Sequence, residues 1–131
     1  MARKKIRGKA GVKFKCPYTT EKRDSQLRTL VTQLIVSEKI EVTEVTAKSV
    51  VSLASKMITL AKKGDLHSRR QAAAVLRNVY TTEEKNQTAL QKLFDELGKA
   101  YASRNGGYVR VLKLKNRRGD NAPIVQVSLV K

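Results

Sequence analysis

One histidine, one cysteine and eleven carboxylates are the groups through which this chain could do covalent or acid–base chemistry, and their spacing gathers none into a reactive set. His67 stands alone at what reads as a helix start, where a single imidazole more often makes a structural hydrogen bond than acts as a catalyst. Cys16 lies among lysines that would lower its pKa, but no histidine is near in sequence to act as its base, so an inert thiol is expected. One His with one Cys cannot fill a four-ligand zinc site, and a lone cysteine excludes an internal disulfide. Glu83 and Glu84 suit a helix N-terminus, Asp95 and Glu96 flank an apolar stripe, and no carboxylate pair is spaced for two-metal phosphoryl chemistry. "RNGG" lacks the long Gly to Lys-Ser/Thr spacing of a phosphate loop. The expectation is a non-enzyme with no cofactor, metal or small-molecule substrate.

Cations, by contrast, are abundant. The net charge of +17 on 131 residues lies far beyond the magnitude of about 2 to 8 that suffices for solubility in a small domain, which points to an anionic partner. The charge is unevenly placed: +8 over residues 1–37, +2 over 38–98 and +7 over 99–131. Each phosphate neutralised by Lys or Arg releases counterions, giving a strong, salt-dependent affinity that is mostly indifferent to sequence. The candidate RNA-binding residues fall in four groups. The N-terminal arm holds Arg3, Lys4, Lys5, Arg7, Lys9, Lys13 and Lys15, and the first helix holds Lys22, Arg23 and Arg28. A third helix carries His67, Arg69, Arg70 and Arg77; the C-terminal region carries Arg104, Tyr108, Arg110, Lys113, Lys115, Arg117 and Arg118. Among these Arg104, Arg110, Arg117 and Arg118 are favoured over neighbouring lysines, because the planar guanidinium pairs bidentately with phosphate and stacks on bases. Phe14, Tyr18, Tyr101 and Tyr108 interleave with the cations and are candidates for base stacking, although Tyr101 and Tyr108 serve equally well to close the core.

These residues need elements to position them. Residues 1–18 carry seven cations and no acid, interrupted by Gly8, Gly11 and Pro17, and read as a basic arm that orders on a polyanion. Residues 19–131 read as one α+β domain, long enough to bury roughly two-thirds of its unfolded surface. Leu27, Leu30, Val31, Leu34 and Ile35 stripe a helix from Thr20 to about Ser37, and "KIEVT" alternates as a short strand. Val50, Leu53, Ala54, Met57, Ile58 and Ala61 share the face of a second helix, Gly64 ends it, and Asp65 is placed to cap the third, about Leu66 to Asn78. In that helix Arg70 and Arg77 share a stripe. Thr81 with Glu84 suggests a capping box for a fourth helix carrying Leu90, Leu93, Phe94 and Leu97 and ending at Gly98. The period then shifts to two: Tyr108 to Lys115 and "PIVQVSLV" form a hairpin whose loop contains Arg117, Arg118 and Asp120. Asp120 is expected to shape that loop by accepting hydrogen bonds from the turn or pairing with Arg117 or Arg118. The total is four helices and three strands.

Charge alone does not separate RNA from DNA or from an anionic membrane. No turn reads as helix-turn-helix, and the first, second and fourth helices look too well matched to each other to supply the exposed bulky apolars that a membrane binder requires beside a basic face. No apolar run approaches a membrane span, and the N-terminus lacks both a secretory signal and the Ser content of a transit peptide, so a soluble, unexported protein is expected.

Specific runs narrow this further. "MITLAKKGDLHSRRQAAA", "QKLFDELGKAYASRNGGYVRVLKL" and "NRRGDNAPIVQVSLV", with "LRTLVTQLIVSEKIEVTEVTAKSV", closely resemble the bacterial large-subunit ribosomal proteins of the L-seventeen family, in order and spacing, over about residues 25–131. The resemblance implies an α+β, non-enzymatic constituent of the large subunit. It implies binding to large-subunit ribosomal RNA, a cytoplasmic location in the ribosome, a position toward the nascent-chain exit, and contacts with neighbours including the small L-thirty-two family member. The positions matching the family's basic motifs are His67, Arg69, Arg70, Arg104, Arg110, Arg117 and Arg118. The start departs from the pattern: family members open with a "RKLGRT"-like arm, whereas "KKIRGKAGVKFKCPYTTEKRDSQ" carries Glu21 and Asp24. Without the resemblance, a free-standing RNA- or DNA-binding protein is the competing reading.

Overall fold

In the computed structural model, residues 19–81 and 87–130 are described, so the basic arm (1–18) and the Glu84 half of the expected capping box lie outside them. The chain runs α1 (Thr20–Ser37), β1 (Lys39–Thr43), α2 (Glu44–Lys63), α3 (Leu66–Val75), a helical run α4 over residues 89–100, then β2 (Val109–Asn116) and β3 (Pro123–Leu129). This is the α+β arrangement expected from the alternation of periods.

The long second helix is the centre of the packing. Its buried face of Ala47, Val50, Ala54, Met57, Ile58 and Ala61 touches α1, α3, α4 and all three strands. Burying a Val, Ile or Met side chain contributes about 1.5–3 kcal/mol, so this face alone accounts for a large share of the core. From α1, Val31, Leu34 and Ile35 pack inward, as their spacing predicts.

The sheet is antiparallel, in the order β1-β3-β2. Register pairs Ile40 with Val127, Val42 with Val125, Val109 with Leu129 and Val111 with Val127. These residues therefore share one face, and Val42, Val125, Val127 and Leu129 are buried on it. Every residue from Arg110 to Asn121 is exposed, so the far end of β2 runs past the core, and between Lys113 and Asn116 the register shifts.

Three helix boundaries differ from expectation. The third helix stops at Val75 rather than Asn78, because Leu76 turns into extended backbone (φ −72°, ψ 148°) and is itself buried. Arg77 and Asn78 therefore do not continue the stripes of Arg70 and His67. The fourth helix opens not at Thr81 but at Ala89. Thr88 and Gln91 supply the reciprocal capping box there, while the Thr81 hydroxyl donates to the carbonyl of Gln87 at 3.0 Å. Nor does Gly98 end that helix: the chain takes one π-helical turn at Leu93–Leu97 and continues through Gly98–Ala100. Gly98 is needed for close approach instead, since a Cβ there would lie 3.0 Å from the Ala61 carbonyl oxygen.

The turn after α1 is held by residues that do not look structural in the sequence. Glu38 follows α1 in the left-handed region (φ 64°), uncommon for a residue with a Cβ. Its carbonyl accepts from Leu129 N–H at 2.9 Å, and Lys92 pairs with its carboxylate at 3.3 Å while donating to the carbonyl of Val36 at 2.9 Å. The end of the second helix is simpler: Gly64 takes the left-handed position as expected, although the Asp65 side chain makes no cap bond to the next helix.

Candidate nucleic-acid interface

The hairpin tip is the most organised of the cationic groups. Arg117 donates through Nε and Nη2 to the two carboxylate oxygens of Asp120, at 3.0 and 2.5 Å. Asp120 Oδ1 also accepts from the Ala122 N–H at 3.2 Å, Asn116 donates to Asn121 at 3.0 Å, and Arg117 N–H reaches the Ala122 carbonyl at 2.8 Å. Gly119 (φ 115°) and Asn121 (φ 53°) supply the positive backbone angles that curl the loop back on itself. The Arg117 hydrogen bonds, and then the Ala122 amide, hold the Asp120 carboxyl at about 2, well below its usual range; the same pairing raises the Arg117 guanidinium. Of the two tip arginines, then, Arg117 is occupied, and Arg118 has no partner among the described residues.

Along β2 the cations divide between faces. Arg110 lies opposite Ser128 and Leu112 opposite Gln126, whereas Lys113 lies opposite Val125 on the core side. Lys115 falls in the register shift. A strand that looks uniformly basic in sequence thus presents Arg110 and Lys113 in opposite directions.

At the entry to the hairpin, Tyr108 is 7% exposed and packs edge-on against Tyr101 with ring centroids 5.4 Å apart. Lys62 donates to the Arg104 carbonyl at 2.7 Å and to the Tyr108 hydroxyl at 3.3 Å. The Tyr108 ring therefore closes the core and is not presented for base stacking. Arg104 is half-buried, with Nη1 donating to the Val130 carbonyl at 3.4 Å. Lys62 stands in the last turn of α2, and its use here depends on a partner 42 residues away.

On α3, Arg69 lies over the Phe94 ring at 5.0 Å from its centroid, and His67 and Gln71 are hydrogen-bonded to one another at 2.9 Å. Arg70 is exposed and carries no ion pair among the described residues. Arg77 is drawn to α1 instead: its N–H donates to Thr32 Oγ1 at 3.0 Å and its Nη2 to Ser25 Oγ at 2.6 Å. Thr32 donates in turn to the backbone carbonyl of Arg28 at 2.7 Å, so Arg77 is tied to the stretch of α1 that carries Arg28. Lys22 is exposed on the first turn of α1, and Arg23 is mostly covered and lies 3.6 Å from Asp24. Arg3, Lys4, Lys5, Arg7, Lys9, Lys13 and Lys15 lie outside the described residues.

Among the described residues no group of three or more His, Cys, Asp or Glu could hold a metal ion. What the fold provides is a rigid α+β body with arginines and lysines directed outward from a hairpin tip, a strand and a short helix: the class of a polyanion-binding scaffold. Residues 26–130 match the family model described as ribosomal protein L17, and the chain belongs to that family. The large ribosomal subunit protein bL17 of Mycoplasma capricolum subsp. capricolum is 54% identical over 108 residues, covering 82% of this chain and 89% of the relative. The protein of the same name from Mycoplasma mycoides subsp. mycoides SC matches to the same extent.

Proposed function

We propose that the chain is a structural constituent of the large ribosomal subunit that binds and clamps large-subunit ribosomal RNA. The family match over residues 26–130 carries this reading, and RNA binding is typical of that family. The mechanism is electrostatic and geometric: a helical core holds separate cationic surfaces in fixed relation, so that one body neutralises RNA segments that would otherwise repel. On this reading Arg118, Arg110, Lys113 and Lys115 on the hairpin, Arg69 and Arg70 on α3, Arg28 and Arg77, and the seven cations of the basic arm meet the RNA. Its place is in the bacterial cytoplasm, within the ribosome, beside neighbours that include the L-thirty-two family member.

Co-sedimentation tests the assignment. The protein is expected to remain on large subunits through a moderate-salt wash, and free migration would favour an independent nucleic-acid-binding protein. Against an isolated ribosomal RNA fragment that the protein retains, Arg118→Ala should reduce the slope of log affinity against log salt by about one unit. An unchanged slope would remove the hairpin tip from the interface.

A further inference from the structure

We propose that Arg69, backed by Phe94 and bordered by Leu66, is a stacking platform for a single unpaired RNA base, with Arg70 receiving the phosphate beside it. This rests on the reading of the chain as an RNA-binding protein and goes beyond it, because charge neutralisation requires no such subsite.

A guanidinium has two faces and an edge. The Arg69 guanidinium carbon lies over the Phe94 ring, 5.0 Å from its centroid, where the aromatic quadrupole favours the cation. Arg69 nevertheless remains exposed and has no carboxylate partner among the described residues. Its backbone is fixed as well, since its N–H donates to the Asp65 carbonyl at 2.9 Å in the first turn of α3. A planar group already immobilised on one side loses little further freedom when a second plane stacks on the other.

Phosphate would engage the N–H edge of the guanidinium, whereas a base uses its face. The surroundings favour the base. Leu66, three residues before Arg69 and four before Arg70, is 64% exposed, and i to i+3 and i to i+4 neighbours adjoin on a helix surface. An aliphatic side chain gains nothing from a phosphate but can be covered by the flat face of a base. Bases inside an A-form duplex are already stacked, so the ligand is a bulged or single-stranded nucleotide.

The experiment uses the full chain and two RNA duplexes, one with a single bulged adenosine and one with an abasic nucleotide in the same bulge. The native protein should bind the adenosine bulge about tenfold more tightly, the scale expected for one stacked base. Arg69→Lys, which keeps the charge and loses the plane, should bind the adenosine bulge and the abasic bulge equally, abolishing that preference. Leu66→Ala should reduce the preference in part. A preference that survives Arg69→Lys, or one absent from the native protein, overturns the platform and leaves the RNA-binding reading standing. Failure of the native protein to bind either RNA overturns both.

Discussion

At the hairpin tip a single carboxylate determines what two arginines can do. Asp120 was legible in the sequence as a loop-shaping residue, but the choice between Arg117 and Arg118 was not, because it depends on the backbone turn at Gly119 that brings residue 117 back within reach of residue 120. The folded carboxyl is depressed to about 2 from its ordinary 3.8. The clasp is therefore fully present above the unfolded value and is lost as pH falls through the folded one. In NMR titration the Asp120 carboxyl should titrate near 2, with the Ala122 amide moving in parallel; an ordinary midpoint would mean that the clasp does not hold in solution. Tyr108 shows the opposite limit of sequence reading. An aromatic beside cations fits base stacking as well as core closure, and Lys62, distant in sequence, decides for the core.

Among the elements, α2 and β3 were readable because their burial follows one period throughout. The fourth helix was not. Two capping boxes compete in its vicinity, Thr81 with Glu84 and Thr88 with Gln91; the second opens the helix because the Thr81 hydroxyl and N–H are both spent on the Gln87 carbonyl. Gly98 misled for a related reason: a glycine after an apolar stripe suggests a stop, whereas here it admits the backbone of α2. Gly98→Ala should lower stability by about 1–2 kcal/mol, since overpacking against a carbonyl that cannot swing away outweighs the gain in helix propensity. Denaturant unfolding measures it, and an unchanged midpoint would show that the two helices have room to part.

Over the whole molecule the charge map was legible from the start: two cationic ends and a nearly neutral middle. The middle is where the frame is built, with Lys92 closing the end of α1 and Lys62 closing the hairpin entry, so those cations are spent internally. Which outward cations are free could not be counted from the sequence, since the paired ones meet their partners only in the folded chain.

The strand order has a temporal consequence. β3, the last strand made, is the one in the centre, and it pairs Ser128 with Lys39 as well as with Arg110. During synthesis β1 and β2 have no common partner until residues 123–129 emerge, and the buried face of α2 stays partly uncovered for all of that time. Closure is thus a late, long-range event of the kind that folds slowly and exposes a nascent chain to aggregation or chaperone capture. A chain stopped at residue 122 should show little hydrogen-exchange protection in α2, and native-like protection there would mean that the helices consolidate without the sheet.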